Sequence, residues 1–155
     1  MQKLPENFTL FANFNGQSAS KNLDSSEQFI LGGPNRVRAY SGLEGMGDSG
    51  WVTNLEVRYD FSFGSDFGQW QWVGFYDAGH IKLHDDPKSI PIATLTGQNS
   101  YALSGWGMGL NLSKTDSYLV RLSWAEAIGD NPGRTASGLD ANDRSCLWLQ
   151  ATLWF

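Results

Sequence analysis

Residues 51–61 read Trp51-Val52-Thr53-Asn54-Leu55-Glu56-Val57-Arg58-Tyr59-Asp60-Phe61. From Thr53 onward, every second side chain is apolar or threonine, and the side chains between them are polar or charged. Successive side chains of a strand point to opposite faces, so this period of two predicts a β-strand with one apolar and one polar face.

The same alternation recurs in five further segments of the chain. They cover roughly residues 7–16, 69–83, 105–112, 118–125 and 146–155. Nowhere do apolar residues recur at the i, i+3, i+4 and i+7 spacing of a helix. The sequence therefore predicts an all-β fold, an antiparallel meander of about six strands.

The connections between the predicted strands differ in length. Residues 114–117 form a short polar turn, whereas residues 127–144 form a long polar loop. Residues 17–50 show little periodicity, and connections of this length are usually functional or disordered. Short turns on one side of a sheet and long loops on the other are typical of outer-membrane barrels.

The composition limits the classes of protein to consider. Only 17% of the residues are charged, 14% are aromatic and 18 are glycine, which favours strands, tight turns and aromatic girdles. The net charge of −5 argues against nucleic acid as a partner, because phosphate binding needs clustered Lys and Arg. No stretch of about 18 apolar residues could form a membrane helix, but barrel strands need only about 9–11 alternating residues.

Metal and cofactor sites are not expected. Cys146 is the only cysteine, and His80 and His84 lie four residues apart without a third ligand. Asp77 lies near His80, but no recognised nucleophile accompanies them, so the sequence predicts no enzyme.

A soluble β-sandwich also alternates at a period of two, and periodicity alone does not separate it from a barrel. The polar face of the predicted strands carries Glu56, Arg58, Asp77 and Arg121. Such charges are costly in a small dry core but acceptable in a water-filled lumen. This difference favours the membrane barrel.

Three sequence motifs lie in the long connection before residue 51 and in the predicted strands that follow it. Residues 29–40 read Phe29-Ile30-Leu31-Gly32-Gly33-Pro34-Asn35-Arg36-Val37-Arg38-Ala39-Tyr40, and Gly47-Asp48-Ser49-Gly50 leads into the strand with Asn54-Leu55-Glu56-Val57-Arg58. Phe75-Tyr76-Asp77-Ala78-Gly79 follows a Phe-x-Asp-x-Gly pattern. Together these segments resemble the ShlB/FhaC/HecB type of two-partner secretion transporter, and the chain ends on the aromatic Phe155, as such barrels do.

The resemblance implies a role for each motif. Val37, Arg38, Ala39 and Tyr40 would form the tip of a long loop that folds into the barrel lumen, with Gly32 and Gly33 before it. Asp77 and Glu56 would be the acidic wall positions that face Arg38, and Phe75, Asp77 and Gly79 would form the strand motif. Arginine suits this role because its planar fork holds a carboxylate bidentately. Ala39 replaces the commonest glycine of the family, which puts a left-handed backbone at this position in doubt.

The resemblance covers almost the whole chain but only the last six strands or so of a sixteen-stranded barrel. It implies that residues 1–155 are the C-terminal segment of an outer-membrane translocator barrel, a fragment without the export signal, POTRA domains, plug helix and earlier strands.

The implied function is export of a haemolysin- or adhesin-like partner protein across the bacterial outer membrane, with no cofactor. The implied partners are that secreted exoprotein, outer-membrane lipid and the barrel assembly machinery, for which Phe155 would be the terminal signal. The alternatives are a barrel insertase of the same superfamily and a soluble β-sandwich that binds carbohydrate through exposed Trp residues.

Overall fold

The computed structural model describes residues 2–3, 7–42, 44–61, 66–88, 92, 94, 97–133 and 144–155. Their strands are β1 (Gln2–Lys3), β2 (Phe8–Gln17), β3 (Phe29–Ile30), β4 (Met46–Gly47), β5 (Ser49–Asp60), β6 (Gln69–Lys82), β7 (Ser100–Lys114), β8 (Tyr118–Ile128) and β9 (Ser145–Leu153). Of the predicted long loop at 127–144, residues 134–143 lie outside the described part.

One antiparallel sheet contains seven of these strands, in the order β1-β2-β5-β6-β7-β8-β9. The predicted all-β meander of six long strands is confirmed, with β1 as a two-residue addition at one edge. β3 and β4 pair only with each other, inside the connection between β2 and β5. The described residues contain no second large sheet that could complete a sandwich. They also contain no helix long and apolar enough to cross a membrane.

β7 is longer than the sequence predicts, because its alternation changes sides along the strand. Near Ser100 the apolar residues Tyr101 and Leu103 are buried on one face, whereas from Trp106 onward the large apolar side chains lie on the opposite face. The period of two with one apolar face predicts only the part of β7 from Gly105 onward, because the apolar residues before it lie on the other face. The change of side marks where one face of the sheet becomes covered.

The two faces of the sheet differ in chemistry. The outer face exposes a row of large apolar side chains on every long strand: Leu10, Phe14, Trp51, Leu55, Val57, Trp72, Tyr76, Trp106, Met108, Leu110, Leu122, Leu147, Leu149 and Leu153. The inner face carries Asn54, Glu56, Asp77 and Arg121, as the period of two predicts.

Residues 18–48, here called the long loop, pack on part of the inner face. The buried core forms between the loop and the sheet: Phe29, Leu31, Val37, Ala39 and Tyr40 from the loop, and Val52, Val73, Phe75, Ile81, Leu83, Tyr101, Leu103 and Ala125 from the sheet. The loop therefore supplies the second layer that a single sheet needs to bury apolar area.

Two sheet glycines allow this close packing. A Cβ on Gly79 would lie 2.5 Å from Cδ1 of Leu31, and one on Gly105 would lie 2.5 Å from Cβ of Ala39. Real Cβ atoms do not approach so closely, so any larger residue would push the loop from the sheet.

We expect Gly105→Ala to loosen the long loop, because its methyl group would meet both Ala39 and the backbone oxygen of Glu126, 3.0 Å away. Trypsin should then cleave after Arg36 and Arg38, whose following residues Val37 and Ala39 are buried in the native fold. Limited proteolysis followed by mass spectrometry measures this.

Gly16→Ala is the matched control for this experiment, because its new methyl group would have no neighbour closer than 3.4 Å. If Gly105→Ala resists trypsin as well as Gly16→Ala does, the tight contact with Ala39 is not what holds the loop.

Candidate functional site

The tip of the long loop is shaped by its own backbone hydrogen bonds. The Gly33 N–H donates to the carbonyl of Tyr40 over 3.0 Å, and the Val37 N–H donates to the carbonyl of Leu31 over 3.0 Å. Gly33 has a φ of 124°, a left-handed value that glycine adopts without a steric penalty. These bonds present Val37, Arg38, Ala39 and Tyr40 to the inner face of the sheet.

Ala39 fits the loop tip without a left-handed backbone. Among the described residues, only Asn7 and Asp116 combine a side chain with a positive φ. The methyl group of Ala39 lies over Gly105, which leaves room for it. Alanine can therefore replace the family's commonest glycine here.

Arg38 and Asp77 form a bidentate ion pair. Nε of Arg38 donates to Oδ2 of Asp77 over 2.8 Å, and Nη2 donates to Oδ1 over 2.8 Å. The backbone N–H of Arg38 also donates to Oδ2, over 3.1 Å. Asp77 is 0% exposed and Arg38 only 9%. Two parallel bonds between charged groups fix the orientation of the loop tip as well as its position.

Glu56 completes the surroundings of the guanidinium. Nη1 of Arg38 lies 2.9 Å from Oε1 of Glu56, so each guanidinium nitrogen has a carboxylate acceptor. The second oxygen of Glu56 accepts from Arg58, whose Nη2 is 2.6 Å away. Two arginines thus balance two carboxylates, which offsets the cost of removing these charges from water. We call Arg38, Asp77, Glu56 and Arg58 the arginine clamp.

The Phe-x-Asp-x-Gly motif of β6 places three side-chain positions on the inner face, and each meets a different part of the loop. The ring of Phe75 lies under the Arg38 guanidinium, with 3.4 Å between its centroid and the guanidinium carbon. Asp77 forms the ion pair, and Gly79 receives Leu31. The spacing of two in the motif follows from the pleat of the strand.

Two further residues, Asn54 and Trp148, also hold the loop tip. The sequence motifs assign this role to neither of them. Nδ2 of Asn54 donates over 2.8 Å both to Oδ1 of Asp77 and to the backbone oxygen of Arg36. Nε1 of Trp148 donates to the backbone oxygen of Arg38 over 2.7 Å. Period two places Trp148 on the polar face of β9, and an isolated tryptophan there was the available signal.

The remaining predicted positions lie elsewhere. Phe155 is fully exposed beyond the end of β9, where Trp154 N–H bonds to the carbonyl of Ser117 in the short turn. His80 lies on β6 and His84 beyond its end. The described residues contain no group of three or more His, Cys, Asp or Glu side chains that could hold a metal ion.

An open cavity of about 500 Å³ lies beside the clamp on the inner face. Its lining is mostly polar and includes Arg38, Glu56, Asn111, Arg121 and Gln150. The clamp therefore borders an open and mostly polar cavity, although Asp77 itself is buried away from it.

Comparison with known proteins agrees with this architecture. Residues 1–112 match the family described as haemolysin secretion/activation protein ShlB/FhaC/HecB. A heme/hemopexin transporter protein HuxB of Haemophilus influenzae strain 86-028NP is 30% identical over 150 residues, and that of strain KW20 / Rd is 31% identical. Each alignment covers 96% of this chain but only 24% of the relative. No solved structure matches the chain.

These matches are consistent with the loop motif, the β6 motif and the sheet described above. The chain belongs to the ShlB/FhaC/HecB family of haemolysin secretion/activation proteins.

Proposed function

We propose that this chain forms part of the wall of a bacterial outer-membrane pore that exports a haemolysin- or adhesin-like partner protein by two-partner secretion. The observation that carries the proposal is the arginine clamp, which holds a long loop on the polar face of an antiparallel meander in a member of a secretion family. Residues 1–155 would be one part of a translocator barrel, since the chain corresponds to 24% of the length of its relatives.

The outer face of the sheet supports contact with lipid. It exposes large apolar side chains on all six long strands, including Trp51 at 40% and Leu149 at 71%. An exposed apolar surface of this extent needs a partner, and a bilayer is the partner that covers a whole face evenly. The inner face would line the water-filled pore.

The clamp would bias the loop between a docked and a released state. Each charge-assisted hydrogen bond contributes about 1.5–3 kcal/mol, and the loop tip makes four such contacts through Arg38. A conformational equilibrium shifts only by the difference in free energy between its states, so the clamp strongly favours the docked loop. Export would use this docked state.

The partners follow from the same proposal. The secreted protein is the exported partner. The relatives named heme/hemopexin transporter protein favour a secreted partner connected with heme or hemopexin. The clamp saturates its charges with one another, which suits holding a loop and not activating a substrate, so we propose no enzymatic activity. The barrel assembly machinery would read Phe155 as the terminal signal.

The first prediction from this proposal concerns the ion pair. In the complete transporter, Arg38→Ala and Asp77→Ala should each reduce export of the partner at least roughly tenfold, because each leaves a buried charge unpaired at a cost of about 3–5 kcal/mol. The double mutant should lose less than the sum of the two on a logarithmic scale. Immunoblots of the medium measure export, and heat-modifiable migration measures barrel insertion.

Lys21→Ala is the control, since it removes an exposed cation from the same loop. Arg38→Lys should also impair export, because an ammonium group cannot donate in the bidentate geometry. Additive losses in the double mutant would contradict a direct pair.

The second prediction concerns the register of β5. In a transporter whose native cysteines, including Cys146, are replaced by serine, a water-soluble maleimide should label cysteines at positions 58 and 60, which border the open polar cavity, better than cysteines at positions 55 and 57. Leu55 and Val57 lie on the proposed lipid face, and a slip of one residue would exchange the faces. The reverse labelling pattern would show that the lipid face is misassigned.

The third prediction concerns the terminal residue. Deletion of Phe155 from the complete transporter should lower its level in the outer membrane, because the assembly machinery would lose its signal. The Phe155 side chain could also anchor the strand end at the membrane interface. If the level of the transporter in the outer membrane and its heat-modifiable migration stay normal after the deletion, Phe155 is an anchor and not an assembly signal.

A further inference from the structure

The segment Gly47-Asp48-Ser49-Gly50 lies at the base of the long loop, away from the arginine clamp. Asp48 is 0% exposed, like Asp77, but no guanidinium pairs with it: its carboxylate accepts from backbone N–H groups and a side-chain amide. A buried carboxylate is costly unless its oxygens are satisfied, so its donors indicate what it holds.

Each oxygen of Asp48 faces a different loop. Oδ1 accepts from the backbone N–H of Leu23 over 3.1 Å and from Nε2 of Gln28 over 3.2 Å, both within the long loop. Oδ2 accepts from the backbone N–H of Asp85 over 2.8 Å, in the connection between β6 and β7. The backbone N–H of Asp48 donates to the carbonyl of Leu83 over 3.1 Å. The carboxylate therefore bridges two loops.

A second bridge joins the same two loops. The backbone N–H of Asp86 donates to Oδ1 of Asn22 over 2.8 Å, and Nδ2 of Asn22 donates to the backbone oxygen of Asp86 over 3.0 Å. Asn22 thus imitates a paired strand residue, with one donor and one acceptor. We call Asn22, Asp48, Asp85 and Asp86 the interloop seam.

Asp48 remains charged at neutral pH. Burial raises its pKa, but hydrogen bonds from Asp85, Leu23 and Gln28 and the nearby charge of His84 lower it, and the net pKa lies below its ordinary value. Lys82 and Asp85 pair beside it over 2.5 Å. The stabilisation is complete above the unfolded pKa of about 3.9 and is lost only as pH falls through the lower folded value. Mild acid therefore leaves the seam closed.

We propose that Asp48 is a positioning residue that fastens the base of the long loop to the β6–β7 connection, so that Arg38 reaches Asp77. A carboxylate is required because it offers two acceptors, whereas an asparagine would turn an NH₂ group towards one of the donors. The consequence for export rests on the proposed function, but the seam itself does not.

Hydrogen–deuterium exchange with mass spectrometry tests the seam in the complete transporter. Asp48→Asn should make the amides of residues 22–24 and 84–86 exchange roughly tenfold faster or more, because replacing either oxygen with an NH₂ group opens the bridge that holds the two loops together. It should also expose the bonds after Arg36 and Arg38 to trypsin and reduce export. Asp24→Asn, which removes an exposed charge from the same loop, should match the wild type in every measurement.

Asn22→Ala provides a second route if Asp48→Asn fails to insert. It should speed exchange in residues 84–86, although the substitution is in the other loop. If residues 84–86 exchange at the wild-type rate in either variant that inserts, the interloop seam does not hold the two loops together. Faster exchange with normal export and a trypsin-resistant tip would overturn the positioning role, and absent export by the wild type would instead count against the proposed function.

Discussion

Asp77 is completely buried on the inner face of the sheet, and a buried carboxylate must find donors within the protein. The Asp77 carboxylate accepts four hydrogen bonds. Three come from Arg38, including one from its backbone N–H, and one comes from Asn54. Three of these belong to a loop residue, so the sheet residue is satisfied only when the loop is docked. The loop's position, the buried core beneath it and the enclosed edge of the cavity all depend on this requirement.

Docking solves a second problem of a single sheet. The long strands carry an apolar outer face, and their inner face turns from apolar near Tyr101 and Ile81 to polar near Asn54 and Arg121. The loop covers the apolar part with Leu31, Val37 and Ala39, while the polar part stays beside the open cavity. Gly79 and Gly105 give the loop backbone the space that it needs.

The strands were predictable because their chemistry alternates over whole segments, as in β5, and Arg38 was predictable because its motif is specific. The contacts of Asn54, Trp148 and Asp48 were not, because each depends on which backbone group a distant segment presents. Period two gives the face of a side chain but not its partner. The start of β7 is not predictable from a single apolar face, because Tyr101 and Leu103 are apolar on the face that the loop covers, opposite to Trp106 and Met108.

The thiol of Cys146 lies under the loop tip, with its sulfur 3.4 Å from the backbone oxygen of Ala39. It is the only cysteine among these 155 residues, so its reactivity reports on whether the loop is docked on this part of the sheet. Cys146 is half-buried with the loop docked, so release of the loop would expose more of its sulfur to thiol reagents. The alkylation rate at Cys146, measured by mass spectrometry of its peptide, would thus follow the release of the loop.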